Sequence, residues 1–267
     1  FEQIKIFYRE KNMNKLEIRN GLDLKLRANG KYITTLEGDD YWTDPNKLQK
    51  QVDFLEANSD YLTCAHRFQV VNKEGKIYVD EDFECQFYQD NPYNKQVFES
   101  GKMISHLNSI VYKNIYKEKD LDLKIFTKFG NLSGDYSLSA YLVLNGKVYC
   151  MPEVMSCYRK VIDNNSSSYS ARMERNNRRD ELYMNICNFE KYMNKIYEVN
   201  LESKKKSAYA SAVFKWNRER TASNLRVVKN IIKASDKPGT YIWWFIYLLA
   251  MRFIKDHIGK KAERVKF

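Results

Sequence analysis

The chain has 267 residues and a mass of 31.8 kDa, with 43% hydrophobic and 30% charged residues, a balance that excludes a disordered tail and allows a large buried core. Lys and Arg number 45 against 34 Asp and Glu, a net +11, which points to an anionic partner such as a nucleotide, a nucleic acid or an acidic membrane surface. Five cysteines, Cys64, Cys85, Cys150, Cys157 and Cys187, are odd in number and lack C-x-x-C spacing, which argues against a disulfide framework or structural zinc site and fits a reducing cytosol.

In chain order, IKIFY at 4–8 reads as a short strand and REKNMN as the polar turn after it. The opening has neither an initiator Met nor a signal pattern, so the chain reads as the later part of a longer polypeptide. From Leu16 to Ala28 the apolar residues at 16, 18, 22, 24 and 26 mix periods; the second part reads as a helix, with a strand as the open alternative. YITTLE is β-branched and reads as a strand. Directly after it, LEGDDYWTDPNKL places Glu37, Asp39 and Asp40 in one four-residue window. Carboxylates so close repel one another, so the stretch is either a solvated acidic turn or a seat for a cation. The C-terminal end of a strand is where open α/β sheets bind ligands.

Asp44 and Pro45 read as the N-cap and first position of a helix over KLQKQVDFLEA, with Leu48, Val52 and Leu55 on its buried face and the lysines elsewhere. YLTCAHRFQVV reads as a buried strand, with His66 as a partly buried packing residue, and GKIYVDED as an edge or hairpin strand. Residues 81–95 read as a loop over a site, and ISHLNSIVYKNIY as a strand leading into a turn. An apolar helix follows around 138–143, leaving through a left-handed turn at Asn145 and Gly146. Asp135 stands at its start, where a capping role is the bland alternative. KVYCM is a short strand bounded by Pro152. VIDNNSSSYS at 161–170 reads as a flexible joint before basic helical runs from about 171 to 199 and 203 to 232. Beyond DKPG, residues 241–254 hold 13 apolar or aromatic side chains interrupted only by Arg252. That is short of the about 20 residues a membrane span needs.

Two segments, GKYITTLEGDDYWTDPNKLQKQVDFLE and GDYSLSAYLVLNGKVYCMPEVMSCYRK, in this order resemble the acidic motif and the catalytic-base region of bacterial family 2 glycosyltransferases. The resemblance implies an α/β chain with the GT-A nucleotide-sugar fold, a mixed sheet flanked by helices, over 1–165. Residues 166–267 then form a basic helical region ending in an amphipathic or apolar helix. The implied activity is metal-dependent, inverting transfer of a sugar from a nucleotide-sugar donor to a hydroxyl of a glycan or lipid-linked acceptor, as in capsular polysaccharide and other cell-surface glycan synthesis.

By position, the resemblance makes Glu37, Asp39, Asp40 and Arg159 donor-binding residues, with Mn²⁺ or Mg²⁺ on Asp39 or Asp40 and Arg159 meeting a phosphate. Hard cations prefer carboxylate and phosphate oxygens and stabilise charge on a departing diphosphate. Asp135 takes the place of the general base, which must reach the acceptor hydroxyl. His106 lies in a segment that borders the acceptor site in the family. The chain departs from the family pattern in three ways. Glu37 stands where Asp is usual, no His follows Tyr158 and Arg159 within 160–170, and the family's opening strand and nucleotide-binding loop are not matched, so the fold reads as N-terminally incomplete.

Other classes stay open beside this one. A noncatalytic scaffold would retain part of the fold. A nucleic-acid-binding protein would use the cations and aromatics of RMERNNRRDE and ESKKKSAYASAVFKWNRERTASNLR, although no zinc-finger, Walker or RNA-binding signature accompanies them and a solvated helix face is the stronger reading. The run 241–254 packs in the helical region, seals a homo-oligomer, or lies with the tail through 267 on an anionic membrane surface. The implied location is the cytoplasm, at the inner face of the bacterial plasma membrane.

Overall fold

The nearly continuous burial of YLTCAHRFQVV fits β3 (Tyr61–Val71) as the middle of a five-stranded sheet of order β1-β4-β3-β5-β2, with β1 at Tyr32–Thr34, β2 at Tyr41–Trp42, β4 at Val111–Lys113 and β5 at Lys147–Arg159. The structure, a computed structural model, describes residues 4–8, 20–129, 132, 134–161 and 175–264. The chain divides into two units, Phe1–Phe98 with Lys102–Lys160, and Glu99–Gly101 with Val161–Phe267. The sheet belongs to the first.

β3 and β5 run parallel from Tyr61 beside Lys147 to Val71 beside Arg159, while β4 pairs antiparallel with both β1 and β3, and β2 antiparallel with β5. This is a mixed sheet. Around it lie α1 (Asn20–Arg27), α2 (Lys47–Ala57), the short helices α3 (Glu81–Glu84), α4 (Lys95–Glu99) and α5 (Lys124–Thr127), and α6 (Gly134–Asn145). Leu55 of α2, Cys64 of β3 and Val111 of β4 form a core cluster, joined by Val52, Phe54, Tyr61, Tyr149 and Met151. In α6, the six successive residues from Ser137 to Leu142 are all buried, which explains why its sequence reads as apolar on every side.

Several expectations change. IKIFY forms no strand: residues 4–8 are irregular and exposed, with Tyr8 at 88%, because no described strand lies beside them to complete a ladder. The ambiguous Leu16–Ala28 segment is helical where it is described, from Asn20. The buried face of α2 is Lys47, Gln51 and Leu55, not Leu48, Val52 and Leu55. Its regular part starts at Lys47, and Asp44 Oδ1 accepts the Asn46 N–H at 2.7 Å, capping the turn that leads in. GKIYVDED shrinks to one bridge, Val71 with Ile77, around a turn in which Gly75 takes φ +79°. Within 81–95, α3 occupies Glu81–Glu84 where a loop was expected.

β5 does not stop at Pro152. Met151 pairs with His66 and Val154 with Arg67, so Pro152 and Glu153 form a bulge that needs no ladder donor from the proline. Neither Asn145 nor Gly146 takes a left-handed conformation. Gly146 is required for close approach: a Cβ there would sit 2.5 Å from Leu62 Cβ.

The second unit packs α7 (Arg179–Met193), α8 (Glu202–Glu219), α9 (Ala222–Ala234) and α10 (Pro238–Arg264). Tyr183, Ile186, Phe189 and Met193 bury one stripe of α7. The expected helix over 203–232 breaks at Arg220, whose φ of 53° ends α8, and Thr221 caps α9 by accepting from Asn224 N at 3.2 Å. The proposed joint at 161–170 lies, but for its first residue, outside the described residues. Lys205 and Lys215, cations of the basic run, are paired with Glu190 and Glu219, each at 2.7 Å.

Candidate active site

The acidic loop joins opposite edges of the sheet. β1 ends at Thr34 on one outer strand and β2 opens at Tyr41 on the other, so residues 35–40 link the two edges. A turn closes by Asp40 N–H donating to Glu37 O at 3.1 Å. Each end of the crossing is pinned to the 104–110 segment: Thr34 Oγ1 donates to Ile110 O at 2.8 Å and Trp42 Nε1 to Asn108 O at 2.9 Å.

Asp40 is buried, and both its oxygens are held. Oδ1 accepts from Arg159 N at 2.9 Å and Oδ2 from Asn108 Nδ2 at 2.8 Å. Asn108 is itself fixed by donating to Cys157 O at 3.1 Å and accepting from Ser156 Oγ at 2.9 Å. Burial pushes the Asp40 carboxyl up, against the pull of the Arg159 N–H and of the nearby His106. His106 Nδ1 lies 3.5 Å from Asp40 Oδ2, and its ring is walled by Tyr158 at 4.3 Å and Phe68 at 5.6 Å between centroids.

Glu37 stays exposed on the loop, yet its carboxyl is pushed to about 7. The protein around the carboxyl group is the largest cause, followed by the charges of Asp135, Asp40 and Asp39, with Lys25 opposing. Asp135, in the first turn of α6, and Glu37 both act on Lys25 of α1, holding up an ammonium that burial pulls down. Glu37, Asp40 and His106 each offer one ligand atom, all within 4.8 Å of one another. Two carboxylates and an imidazole suit a first-row divalent ion such as Mn²⁺, which accepts nitrogen as well as oxygen, better than Mg²⁺, which favours an oxygen shell.

Residues 1–135, half of the chain, match the family described as glycosyl transferase family 2. The chain belongs to that family. The uncharacterized proteins Mb1547 of Mycobacterium bovis and Rv1520 of Mycobacterium tuberculosis are each 28% identical to it over 141 residues, covering 53% of this chain and 38% of theirs. The match therefore spans well under half the length of these curated relatives.

Within this family 2 chain, the positions singled out in the sequence sit as follows. Glu37 and Asp40 converge with His106, while Asp39 is exposed on the same turn and lies outside that three-residue group. Asp135 is an electrostatic neighbour of Glu37. Arg159 directs its guanidinium at backbone: Nε donates to Asp39 O at 3.0 Å, and Nη1 to Asn72 O at 3.2 Å and Lys73 O at 2.8 Å. It also lies 5.6 Å from the centroid of the Tyr41 ring. In this geometry Arg159 shapes the acidic turn. Sequence reasoning missed Asn108, Lys25 and the pairing of His106 with Asp40. Their signal is weak because His106 and Asn108 come from a segment distant in sequence from the loop, Lys25 sits in a stretch of mixed period, and a buried Asn in HLNS carries no periodic mark.

Proposed function

We propose that the chain carries the acidic centre of a metal-assisted, inverting glycosyltransferase that moves a sugar from a nucleotide-sugar donor to a hydroxyl of a glycan or lipid-linked acceptor. The observation behind this reading is the convergence of Glu37, Asp40 and His106 at the C-terminal end of β1, with Asp135 facing Glu37 from another element. Mn²⁺, when bound, would supply positive charge to a departing nucleoside diphosphate. Glu37 and His106 would hold it, and Asp40, fixed by Arg159 N and Asn108, would set where it sits. Asp135 would take the proton of the acceptor hydroxyl as its oxygen attacks the anomeric carbon and the bond to the diphosphate oxygen breaks. Lys25 would keep part of the carboxylate charge balanced in the donor-free state.

Calorimetric titration with UDP-, GDP- and dTDP-sugars, with and without Mn²⁺, tests the reading. Binding that requires Mn²⁺ and is lost in Glu37→Ala supports it. Asp135→Asn is expected to keep donor binding and lose transfer by at least about 100-fold, the low end of what a positioned base supplies. Salt-sensitive nucleic-acid binding by a folded chain that takes no nucleotide-sugar would overturn it.

A further inference from the structure

The face that α10 turns to solvent is apolar. Ile242, Trp243, Ile246, Tyr247, Ala250 and Met251 are all exposed, Trp243 at 62% and Ile246 at 61%. Their spacing at i, i+1, i+4, i+5, i+8 and i+9 puts them on one side of the helix. The opposite side is already occupied: the Tyr241 ring centroid lies 4.9 Å from that of Tyr209, Tyr209 Oη donates to Tyr241 O at 2.7 Å, and the rings of Phe245 and Trp216 are 5.3 Å apart. A helix packed on one side of a soluble bundle ordinarily shows charge on the other. This one shows none from Tyr241 to Met251.

We propose that this face of α10 docks on an anionic lipid bilayer, lying in the headgroup region rather than crossing it. Among the described residues no helix is long and apolar enough to cross a membrane, and the eleven uncharged residues from Tyr241 to Met251 rise only about 16 Å against a hydrocarbon core of about 30 Å. Insertion to a shallow depth needs only the outer stripe, and its two large aromatics, Trp243 and Tyr247, stacked at 5.6 Å between ring centroids, are of the type that prefers the membrane–water boundary. Charge selects the partner. The sequence after the apolar stretch, 252–267, holds six Lys and Arg against two Asp and Glu, in a chain of net +11. An acidic lipid surface complements both parts at once, whereas a second copy would bring the same positive tail against its own.

The inference is independent of sugar transfer and is read without it. The full chain is sedimented with vesicles of phosphatidylcholine, with and without phosphatidylglycerol, beside a Trp243→Glu/Ile246→Glu variant and a Lys260→Gln/Lys261→Gln variant. Trp243 and Ile246 are exposed, so their replacement leaves the packed side of α10 intact, which circular dichroism checks. The expected result is binding to the anionic vesicles, a blue-shifted tryptophan emission, and partition weakened about tenfold or more in the first variant and several-fold in the second. Absence of binding to anionic vesicles would overturn the proposal, as would equal binding by the Trp243→Glu/Ile246→Glu variant. A concentration-dependent dimer that this variant abolishes, without vesicle binding by the parent chain, would assign the face to a second copy instead.

Discussion

Lys47 shows how one side chain can oppose the fold that holds it. It is 1% exposed, its ammonium has no hydrogen-bond partner among the described residues, and it lies over the Trp42 ring, 4.4 Å from Nζ to the centroid. Burial pushes its pKa from 10.5 down to about 8. Below pH 8 the folded chain carries the buried charge and its full desolvation cost. Between pH 8 and 10.5 the folded chain releases a proton that the unfolded chain keeps, so stability climbs as pH rises. Replacing Lys47 with Met is therefore expected to raise the unfolding free energy at pH 7 by about 1–3 kcal/mol, a gain that vanishes by about pH 11 in urea titrations. An unchanged midpoint at pH 7 would mean that the contact with Trp42 compensates the burial in full. Its neighbour in charge, His66, is fully buried and pushed down to about 4, so it stays neutral in the folded chain at neutral pH. The burial of His66 follows from its place in an apolar strand, but that of Lys47 does not: a lysine on an amphipathic helix is assigned to water by pattern, and only the packing of α2 on the sheet reverses that.

Elements built from regular periodicity were legible: β1, the length of α2, β3 and the apolar α6 follow from spacing and propensity, while α1, whose apolar residues mix periods, stays open between helix and strand in the sequence. The failures share a cause, which is that a tertiary neighbour decides them. Pro152 reads as a strand end until the bulge opposite His66 and Arg67 removes the need for its donor. Arg220 reads as mid-helix because nothing local marks a left-handed residue there. Gly146 reads as a left-handed exit, yet its role is clearance for Leu62. That last point is testable by stability alone. Gly146→Ala is expected to cost about 1–3 kcal/mol through overpacking, and Leu62→Ala in the same chain to recover part of the loss, a coupling seen only if the two atoms collide. Additive losses would mean that the backbone at 146, not the Leu62 contact, sets the requirement.

On the scale of the whole chain, crowded carboxylates marked the acidic loop in the sequence, but its company of His106, Asn108, Lys25 and Arg159 is assembled by the fold from three other segments. Glu37 gives this assembly a pH signature. With its carboxyl near 7, Glu37 is mostly protonated at pH 6 and mostly ionised at pH 8, and a cation binds the ionised form. A divalent ion that binds only the folded chain raises Tm by mass action, so the shift produced by a fixed Mn²⁺ concentration is expected to be larger at pH 8 than at pH 6, and the difference to disappear in Glu37→Gln. A shift independent of pH would remove Glu37 from the binding set. The path of the loop adds a further consequence. Asn108 donates to Asp40 Oδ2 at 2.8 Å and accepts from Trp42 Nε1 at 2.9 Å, so one residue holds both the carboxylate at the end of the loop and the outer strand that follows it. Like a pin shared by two leaves, Asn108 ties them together, so the fraying of the two-residue outer strand and the placing of the Asp40 carboxylate become two readings of a single equilibrium.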